Sequence, residues 1–571
     1  MFTNNRIMTT TTDKKTVQII VNICAQKGIK RVVVSPGSRN APLSIAFNRN
    51  ERIESYVIVD ERSAAFFALG LSQKSGEPVA LVCTSGTALL NYAPAVAEAF
   101  YQRIPLVILS ADRPTEWIEQ DDSQAINQQQ VFANFTKHNC QLPVEITCND
   151  EAWHVNRSVN EAINAAVSGR KGPVHINIPL REPLYGITEI NSTSERVFNQ
   201  IEPESQLNAA VIDELKSRLP INPKIMILGA FLPADAKDKF NIVINKIEKI
   251  SNVVVIAEPI SNIQSNLTIN NIDRVLNVIL PEETDDFRPD VLISFGGSLV
   301  SKQIKTFLKN NPPAEHWYIG KGENHIDTFR RLTALIQLEP SAFLEQFFDS
   351  NSFAASDFST NWQKKEQISA QKHAHFMATA PWSDLKAFEI INNHLPINSD
   401  LQLGNSSAVR YAHLFEQKKL NSIQCNRGTS GIDGSTSTAV GAAAISTVPT
   451  TFLSGDISFF YDSNALWNKY LSADLRIIVL KNGGGSLFRF IPGPSGVEEL
   501  EEFFEAKQEL DIEKMAALYD LPFYSAADES ELASILPQVF SPHSKAVILE
   551  VTTPRLENDK VLKDYFKAMR S

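Results

Sequence analysis

The sequence predicts an α/β protein made of three doubly wound parallel-sheet domains, on three observations. Short β-branched runs recur along the chain. Each is followed by a Gly/Ser/Asp loop and then a helical pattern, the signature of parallel βα units. The runs fall into three sets separated by two polar stretches without periodicity.

The first set is RVVVSPGSRN (31–40), YVIVDERSAAFFALGL (56–71), PVALVCTSGTALL (78–90), PLVILSADRP (105–114) and GPVHINIPL (172–180). The second is KIMILGAF (224–231), NVVVIAEP (252–259), DVLISFGG (290–297) and HWYIG (316–320). The third is DLQLGNS (400–406), TTFLSGDIS (450–458), LRIIVLKNGGG (475–485) and AVILEVTT (546–553). The stretches GITEINSTSERVFNQIEPES (186–205) and NSFAASDFSTNWQKKEQ (351–367) read as linkers, with surface loops of larger domains as the other reading. The expected domains are therefore 1–188, 206–350 and 370–571. TAVGAAAISTV (438–448) is apolar but short and rich in small residues, and reads as a packed helix.

Composition narrows the function. At about 100–200 residues per domain, a chain of 571 residues suits this division. With 43% hydrophobic and 21% charged residues it is ordinary globular material. A net charge of −11 disfavours binding to nucleic acid or to an anionic membrane. An anionic substrate must then meet a local basic site. The five cysteines, Cys24, Cys83, Cys140, Cys148 and Cys425, contain no CxxC pair, which fits a reducing cytosol and a cytoplasmic protein. The opening MFTNNRIMTTTTDKK has no apolar core of a signal peptide. No run approaches the roughly 18 apolar residues of a membrane span.

Doubly wound sheets bind ligands beyond the carboxyl ends of their strands. GDIS (455–458) and LKNGGG (480–485) stand at two consecutive strand ends of the third set. Magnesium takes hard oxygen ligands and shares them with phosphates. Asp456 offers a carboxylate, Asn482 an amide oxygen and Gly484 a backbone carbonyl. Backbone N–H groups from Gly455, Asp456, Ile457 and Ser458 could cradle a phosphate at a helix start. Either motif alone would be a turn; together they make a candidate diphosphate–metal site. In the first set, Asp60-Glu61-Arg62 follows a strand, where acids also simply favour a helix N-terminus. Arg39, Arg113, Arg410 and Arg427 all stand beside expected strand ends. Arginine's fork suits carboxylates. The plainer use of each is to pair with a structural acid.

With 25 residues between Asp456 and Asn482, GDI…KNGGG resembles the GDG…NN signature of thiamine-diphosphate (ThDP) enzymes. Ile457 stands where a third-position Gly is usual, and Lys481 where Asn often stands. In that family a glutamate bonds the aminopyrimidine ring of the cofactor, and the resemblance assigns this role to Glu61. More specifically, the chain resembles the menaquinone-pathway family of 2-succinyl-5-enolpyruvyl-6-hydroxy-3-cyclohexene-1-carboxylate (SEPHCHC) synthases. The matching stretches are SPGSRNAPLS (35–44), DERSAAFFALGL (60–71), TSGTALLNYAPAVAEAF (84–100), SADRP (110–114), SQAINQ (123–128), GNSSAVR (404–410), NRGTSGIDGSTSTA (426–439), GDISFFYD (455–462) and NGGGSLFRFIP (482–492). They lie in the first and third sets.

The resemblance implies decarboxylation of 2-oxoglutarate and a 1,4-addition of the succinyl carbanion equivalent to isochorismate. It implies ThDP with Mg2+, or Mn2+, held by Asp456, Asn482 and the Gly484 carbonyl. Ile432 would bend the cofactor. Ser38, Arg39, Arg113, Gln124, Ser406, Arg410 and Arg427 would line the substrate region. Leu487, Phe488 and Ile491 would form an apolar wall, core packing being the plainer reading. SLVSKQ (298–303) matches a loop where the family can show Lys-Arg; here Lys302 keeps one charge and Gln303 lacks the other. A homodimer or homotetramer with active sites at the subunit interface is implied, with small anionic molecules as substrates. Two other readings stay open. One is a different ThDP carboligase or decarboxylase, such as an acetolactate-synthase-like enzyme, although 224–320 carries no G-x-G-x-x-G loop and the chain no His-His pair. The other is a non-catalytic binding protein that keeps the fold.

Overall fold

The computed structural model describes residues 10–190, 194–203, 205–232, 237–349, 353–417, 420–490 and 493–571. Its strands are β1 (Thr10–Thr12), β2 (Arg31–Val34), β3 (Glu54–Val57), β4 (Val79–Cys83), β5 (Leu106–Asp112), β6 (Asn139–Gln141), β7 (Val174–Pro179) and β8 (Ile187–Glu189) in the first region. The middle region adds β9 (Ile225–Gly229), β10 (Val253–Ala257), β11 (Val291–Phe295), β12 (Glu315–Ile319) and β13 (Ala334–Ile336). The last holds β14 (Asp400–Leu403), β15 (Ser422–Cys425), β16 (Thr450–Gly455), β17 (Leu475–Lys481), β18 (Phe523–Ala526) and β19 (Val547–Thr552).

These strands form three parallel sheets, ordered β3-β2-β4-β5-β7-β6, β10-β9-β11-β12-β13 and β15-β14-β16-β17-β19-β18. The doubly wound expectation is met. A small antiparallel pair of β1 with β8 lies apart from them. In the two six-stranded sheets the strand order reverses at the far edge, where β7 precedes β6 and β19 precedes β18, and in every sheet it reverses between β2 and β4, β9 and β11, or β14 and β16. Such a switch point opens a crevice, because successive connections leave to opposite faces. The inner strands are buried along their whole length, as β4, β5, β9 and β11 show. Parallel sheets covered on both faces require this apolar continuity.

A glycine lets the two loops meet at each switch point. A Cβ on Gly37 would lie 2.4 Å from Thr84 Cβ, and one on Gly404 2.4 Å from Ser454 Oγ. One on Gly296 would lie 2.7 Å from the Phe231 carbonyl.

By compactness the chain divides into two units: residues 1–202, 428–446 and 462–471, and residues 203–427, 447–461 and 472–571. In the first, the helix Glu61–Ser75 packs backbone to backbone on the helix Ser435–Ile445. A Cβ on Gly70 would meet the Thr438 carbonyl at 2.0 Å, and one on Gly441 the Phe67 carbonyl at 2.1 Å. The apolar stretch read as a packed helix is this second helix, buried from Ser435 to Ala443. The segment 462–471 ties both helix starts. Buried Asp462 accepts from Ser437 N at 2.6 Å and Ser437 Oγ at 2.7 Å, and burial pushes its carboxyl up to about 7. Asn464 donates to Asp60 at 2.6 Å, while Asp60 caps its own helix by accepting from Ser63 N at 3.0 Å.

One expectation is corrected. Most of 351–367 is not a linker: Phe358–Met377 is a helix of 20 residues. It buries only Phe358, Ser359, Trp362, Ser369 and Met377. So narrow an apolar stripe in a polar segment does not stand out as periodic. The expected domain start at 370 falls inside this helix. Among the described residues no helix is long and apolar enough to cross a membrane.

Gly70→Ala and Gly441→Ala are each expected to cost about 1–3 kcal/mol or more through overpacking. Gly496→Ala, whose Cβ would meet nothing within 4 Å, should stay within about 0.5 kcal/mol of the parent. Calorimetric melting of the three variants checks this; equal midpoints would show that the helix pair tolerates side chains.

Candidate active site

The first unit holds Ser38, Arg39, Glu61, Arg113, Gln124 and Ile432 of the expected site. Glu61 opens the helix that Asp60 caps. Burial, and then the charge of Asp60, raise its carboxyl above the usual range. Its own charge helps burial to push the Cys83 thiol up at the end of β4. A half-buried carboxyl at a strand-to-helix turn can hold or release a proton within a shielded site.

Arg39, only 5% exposed, donates to the Leu180 carbonyl at 3.0 Å and to Glu182 at 3.2 Å. Arg113 pairs with Asp122 at 3.1 Å, lies 4.0 Å from the same Glu182, and donates to the Ser123 carbonyl at 2.7 Å. Glu182, which sequence reasoning missed, thus draws the two arginines together while staying 71% exposed. For this pair the plainer use of arginine, pairing with an acid of the same chain, is realised. Ser38 and Gln124 are exposed, and Gln124 has a φ of +54°. Its backbone lies against Gly86, whose Cβ would meet the Gln124 carbonyl at 3.2 Å. Ile432 lies just before the helix Ser435–Ile445. The loop leading to it is seated by buried Glu98, which accepts from Gly428 N, Thr429 N and Thr429 Oγ1, each at 2.6 Å. Glu98 gave no sequence signal beyond its place on a helix.

The second unit brings the carboxyl ends of β16 and β17 together. Asp456, 2% exposed, accepts from Ile457 N at 2.8 Å and from Gly483 N at 2.9 Å. Burial, with the charge of Asp384 adding to it, pushes its carboxyl up to about 6. Asn482, also buried, donates its Nδ2 to Asp384 at 2.7 Å and to Ser486 Oγ at 3.1 Å. Its Oδ1 receives Gly484 N at 3.3 Å. Gly484 has a φ of +157°, and a Cβ there would lie 2.9 Å from the Glu505 carbonyl. Beside Gly455 a Cβ would meet nothing within 4 Å, so that strand end faces open space. Ile457 and Ser458 follow in the short helix Asp456–Tyr461. Of the backbone donors expected for a phosphate, Ile457 N already serves Asp456.

Glu505 fastens the glycine loop. It is fully buried and its backbone carbonyl accepts from Gly485 N at 2.6 Å. Its carboxylate accepts from Arg489 at 2.9 and 2.6 Å and from Arg555 at 3.1 and 2.8 Å. Burial works to raise this carboxyl, but the two guanidinium groups outweigh it and hold it below the usual range.

A cavity of about 150 Å³ in the same unit is lined by Lys302, Gln303, Arg410, Leu487, Phe490 and Phe566, among others. Three residues expected from the sequence, Lys302, Arg410 and Leu487, therefore meet there. Phe488 turns instead towards Phe504, with ring centroids 6.1 Å apart, and Phe490 takes the place on the wall. Ile491 lies outside the described residues. Ser406 adopts a φ of +74°, and its carbonyl accepts from Arg410 at 2.6 Å. Such backbone in a non-glycine residue is strain kept where surrounding contacts demand it. Gln303 accepts from Asn277 at 2.6 Å, and Asn277 in turn accepts from Arg570 at 2.9 Å.

Unlike the pair in the first unit, Arg410 and Arg427 form no ion pair among the described residues. Burial, then the charge of Arg427, lower the Arg410 guanidinium from its usual value. Arg427 donates to Asn405 at 3.2 Å, but its Nε is buried without a partner. Burial takes neighbouring His413 down to about 3, helped by both arginines, and Glu258 up to about 7. The region can accept an anion.

A family model described as thiamine pyrophosphate enzyme, N-terminal TPP binding domain, matches residues 14–131. Proteins named 2-succinyl-5-enolpyruvyl-6-hydroxy-3-cyclohexene-1-carboxylate synthase are similar along the whole chain. The one from Porphyromonas gingivalis is 46% identical, covering 97% of this chain and 97% of its own. Those from Flavobacterium psychrophilum and Flavobacterium johnsoniae are 42% and 41% identical, covering 96% and 97% of this chain and 98% of each of theirs.

Glu505 generates a stability expectation. Because its folded pKa is depressed, its contribution is complete above an unfolded value of about 4.3 and is lost as pH falls through the folded value. Glu505→Gln is expected to cost about 3 kcal/mol at pH 7 in urea unfolding, and to flatten the acid limb of the stability profile. An unchanged midpoint would show that the cluster contributes nothing.

Proposed function

Because the chain belongs to the family of ThDP-dependent SEPHCHC synthases, we propose that it decarboxylates 2-oxoglutarate and adds the remaining four-carbon unit to isochorismate. One observation carries the substrate assignment. Arg410 lines a cavity that Asp273 also lines, yet it forms no ion pair among the described residues, and beside it Arg427 keeps a buried Nε without a hydrogen-bond partner. Guanidinium groups largely shielded from water and without an ion pair favour carboxylate ligands.

The donors around Asp456 fit the proposed metal. They are hard oxygens on buried groups, with one carboxylate only, which suits Mg2+ or Mn2+ sharing its sphere with a diphosphate. Asp456, Asn482 and the Gly484 carbonyl would hold the ion. The open space beside Gly455, with Ile457 and Ser458, would receive the diphosphate. When bound, ThDP supplies the electron sink for the carbon that loses carbon dioxide. Glu61 would bond the pyrimidine ring and hold its proton, and Ile432 would support the cofactor's bend. Lys302, Arg410 and Arg427 would take substrate carboxylates. Arg39 and Arg113, with Ser38, Gln124 and Ser406, would orient the second substrate. Leu487 and Phe490, which line the cavity, would keep water from the reacting carbon.

In this reading the first sheet belongs to a pyrimidine-binding domain (1–188), the second to a central domain (206–350) and the third to a diphosphate-binding domain (370–571). The enzyme is a cytoplasmic homodimer or homotetramer. Exposed Val57, Val59, Leu90 and Tyr101 on the first unit support a surface that another subunit covers.

Purified protein with ThDP and Mg2+ is expected to form the coupled product, read by mass spectrometry, only from 2-oxoglutarate together with isochorismate. Product from pyruvate instead would move the reading to another carboligase. Glu61→Gln should lower turnover by about 10²–10⁴-fold while its melting transition stays. Full activity in that variant would remove Glu61 from its role.

A further inference from the structure

Asn482 poses a problem of direction. A carboxamide has one oxygen and one NH2 group of nearly equal size, and only the oxygen can ligate a hard cation. An Asn at a metal site is useful only if something decides which end points inward. Two groups receive Nδ2 of Asn482. Ser486 Oγ, at 3.1 Å, is a hydroxyl and could donate as readily as accept, so it decides nothing. Asp384 Oδ2, at 2.7 Å, belongs to a carboxylate, which only accepts. The opposite orientation would set two acceptors against each other.

Asp384 is itself held on several sides. It is fully buried at the start of the helix Asp384–His394. Its Oδ1 accepts from Thr553 Oγ1 at 2.5 Å, and its backbone N donates to Asn558 Oδ1 at 2.8 Å. It forms no ion pair among the described residues, so its charge is met by neutral donors alone. A second buried acid, Asp456, lies close enough to feel it. Among the described residues neither carboxylate forms an ion pair, which leaves room for a cation to be added.

We propose that Asp384 is a positioning residue for the metal site: by accepting from Asn482 Nδ2, it fixes the amide with its oxygen towards the ion. The inference rests on the reading that Asp456, Asn482 and Gly484 hold the metal. Outer contacts of this kind set metal affinity without touching the metal.

The test is calorimetric titration of Mg2+ into the protein with ThDP present, with a melting curve for each variant as a measure of folding. Asn482→Ala examines the underlying reading; if it binds Mg2+ as the parent does, the metal-site assignment fails. With that variant weakened, Asp384→Ala is expected to bind Mg2+ about 10–100-fold more weakly. The exchange variant Asp384→Asn/Asn482→Asp offers a second arm that does not depend on the alanine variant folding. Its new amide at 384 donates to the new carboxylate at 482, which presents an oxygen inward whichever way it turns. It should recover Mg2+ affinity to within about threefold of the parent. Asp384→Ala binding as tightly as the parent, or an exchange variant as weak as Asn482→Ala, would overturn the proposal.

Discussion

The closeness of two helix backbones governs the first unit. Helices normally keep 8–10 Å between their axes because side chains intervene. Gly70 and Gly441 remove that spacer, so that each presses on the other helix's main chain. The consequence reaches both ends of the pair. Glu61 opens one helix, and Ile432 lies three residues before the other. Asp462 and Asn464 then lock the two starts with hydrogen bonds to Ser437 and Asp60. The unit is thus assembled from three separate stretches of chain, and Glu61 and Ile432 lie near where those stretches meet.

The same economy operates at the sheets. A switch point makes a crevice only if the two diverging loops stay close at their roots. Gly37 against Thr84 and Gly404 against Ser454 show how. The residues that follow, Ser38 and Arg39 in one case and Ser406 and Arg410 in the other, are carried out from a fixed base. Gly484 repeats the device beyond β17, where Glu505 comes too near for any side chain. Glu505 joins this steric demand to an electrostatic one, since the carboxylate that meets Arg489 and Arg555 belongs to the residue whose carbonyl holds Gly485.

How much of this was legible in the sequence follows from what makes a signal. Inner strands are apolar on both faces, and runs such as VALVC and LVILS declare themselves. The strands that escaped notice in the three sheets, β6, β13, β15 and β18, are all edge strands of three or four residues. An edge needs less apolar surface, and NCQ or SIQC does not stand out. Asp456, Asn482 and Gly484 stood out because a Gly-Asp pair and a triple glycine follow two consecutive strand runs. Asp384, Glu98, Glu182 and Glu505 did not. Each acts on residues outside its own motif, at 16 and 50 positions for Glu505, 98 for Asp384 on Asn482, 143 for Glu182 on Arg39 and 330 for Glu98 on Gly428 — hence no local spacing betrays it.

The arginines show why a count of charges is weaker than their pairing. All four looked alike in sequence, each beside a strand end. The structure separates them: Arg39 and Arg113 share Glu182, whereas buried Arg427 and half-buried Arg410, beside His413, form no ion pair among the described residues. A paired arginine must release its partner before it can take a substrate carboxylate, so its net gain is the difference between two similar contacts. An unpaired buried arginine has already lost its water, and a carboxylate arriving there regains most of the full interaction. On the proposed reading, substrate affinity should therefore reside chiefly with Arg410 and Arg427. Arg39 and Arg113, restrained by Glu182, are better placed to fix orientation. In a chain of net charge −11, the two arginines make a local basic site: repulsion of an anion is spread over the surface, while attraction is concentrated where desolvation makes each charge count most.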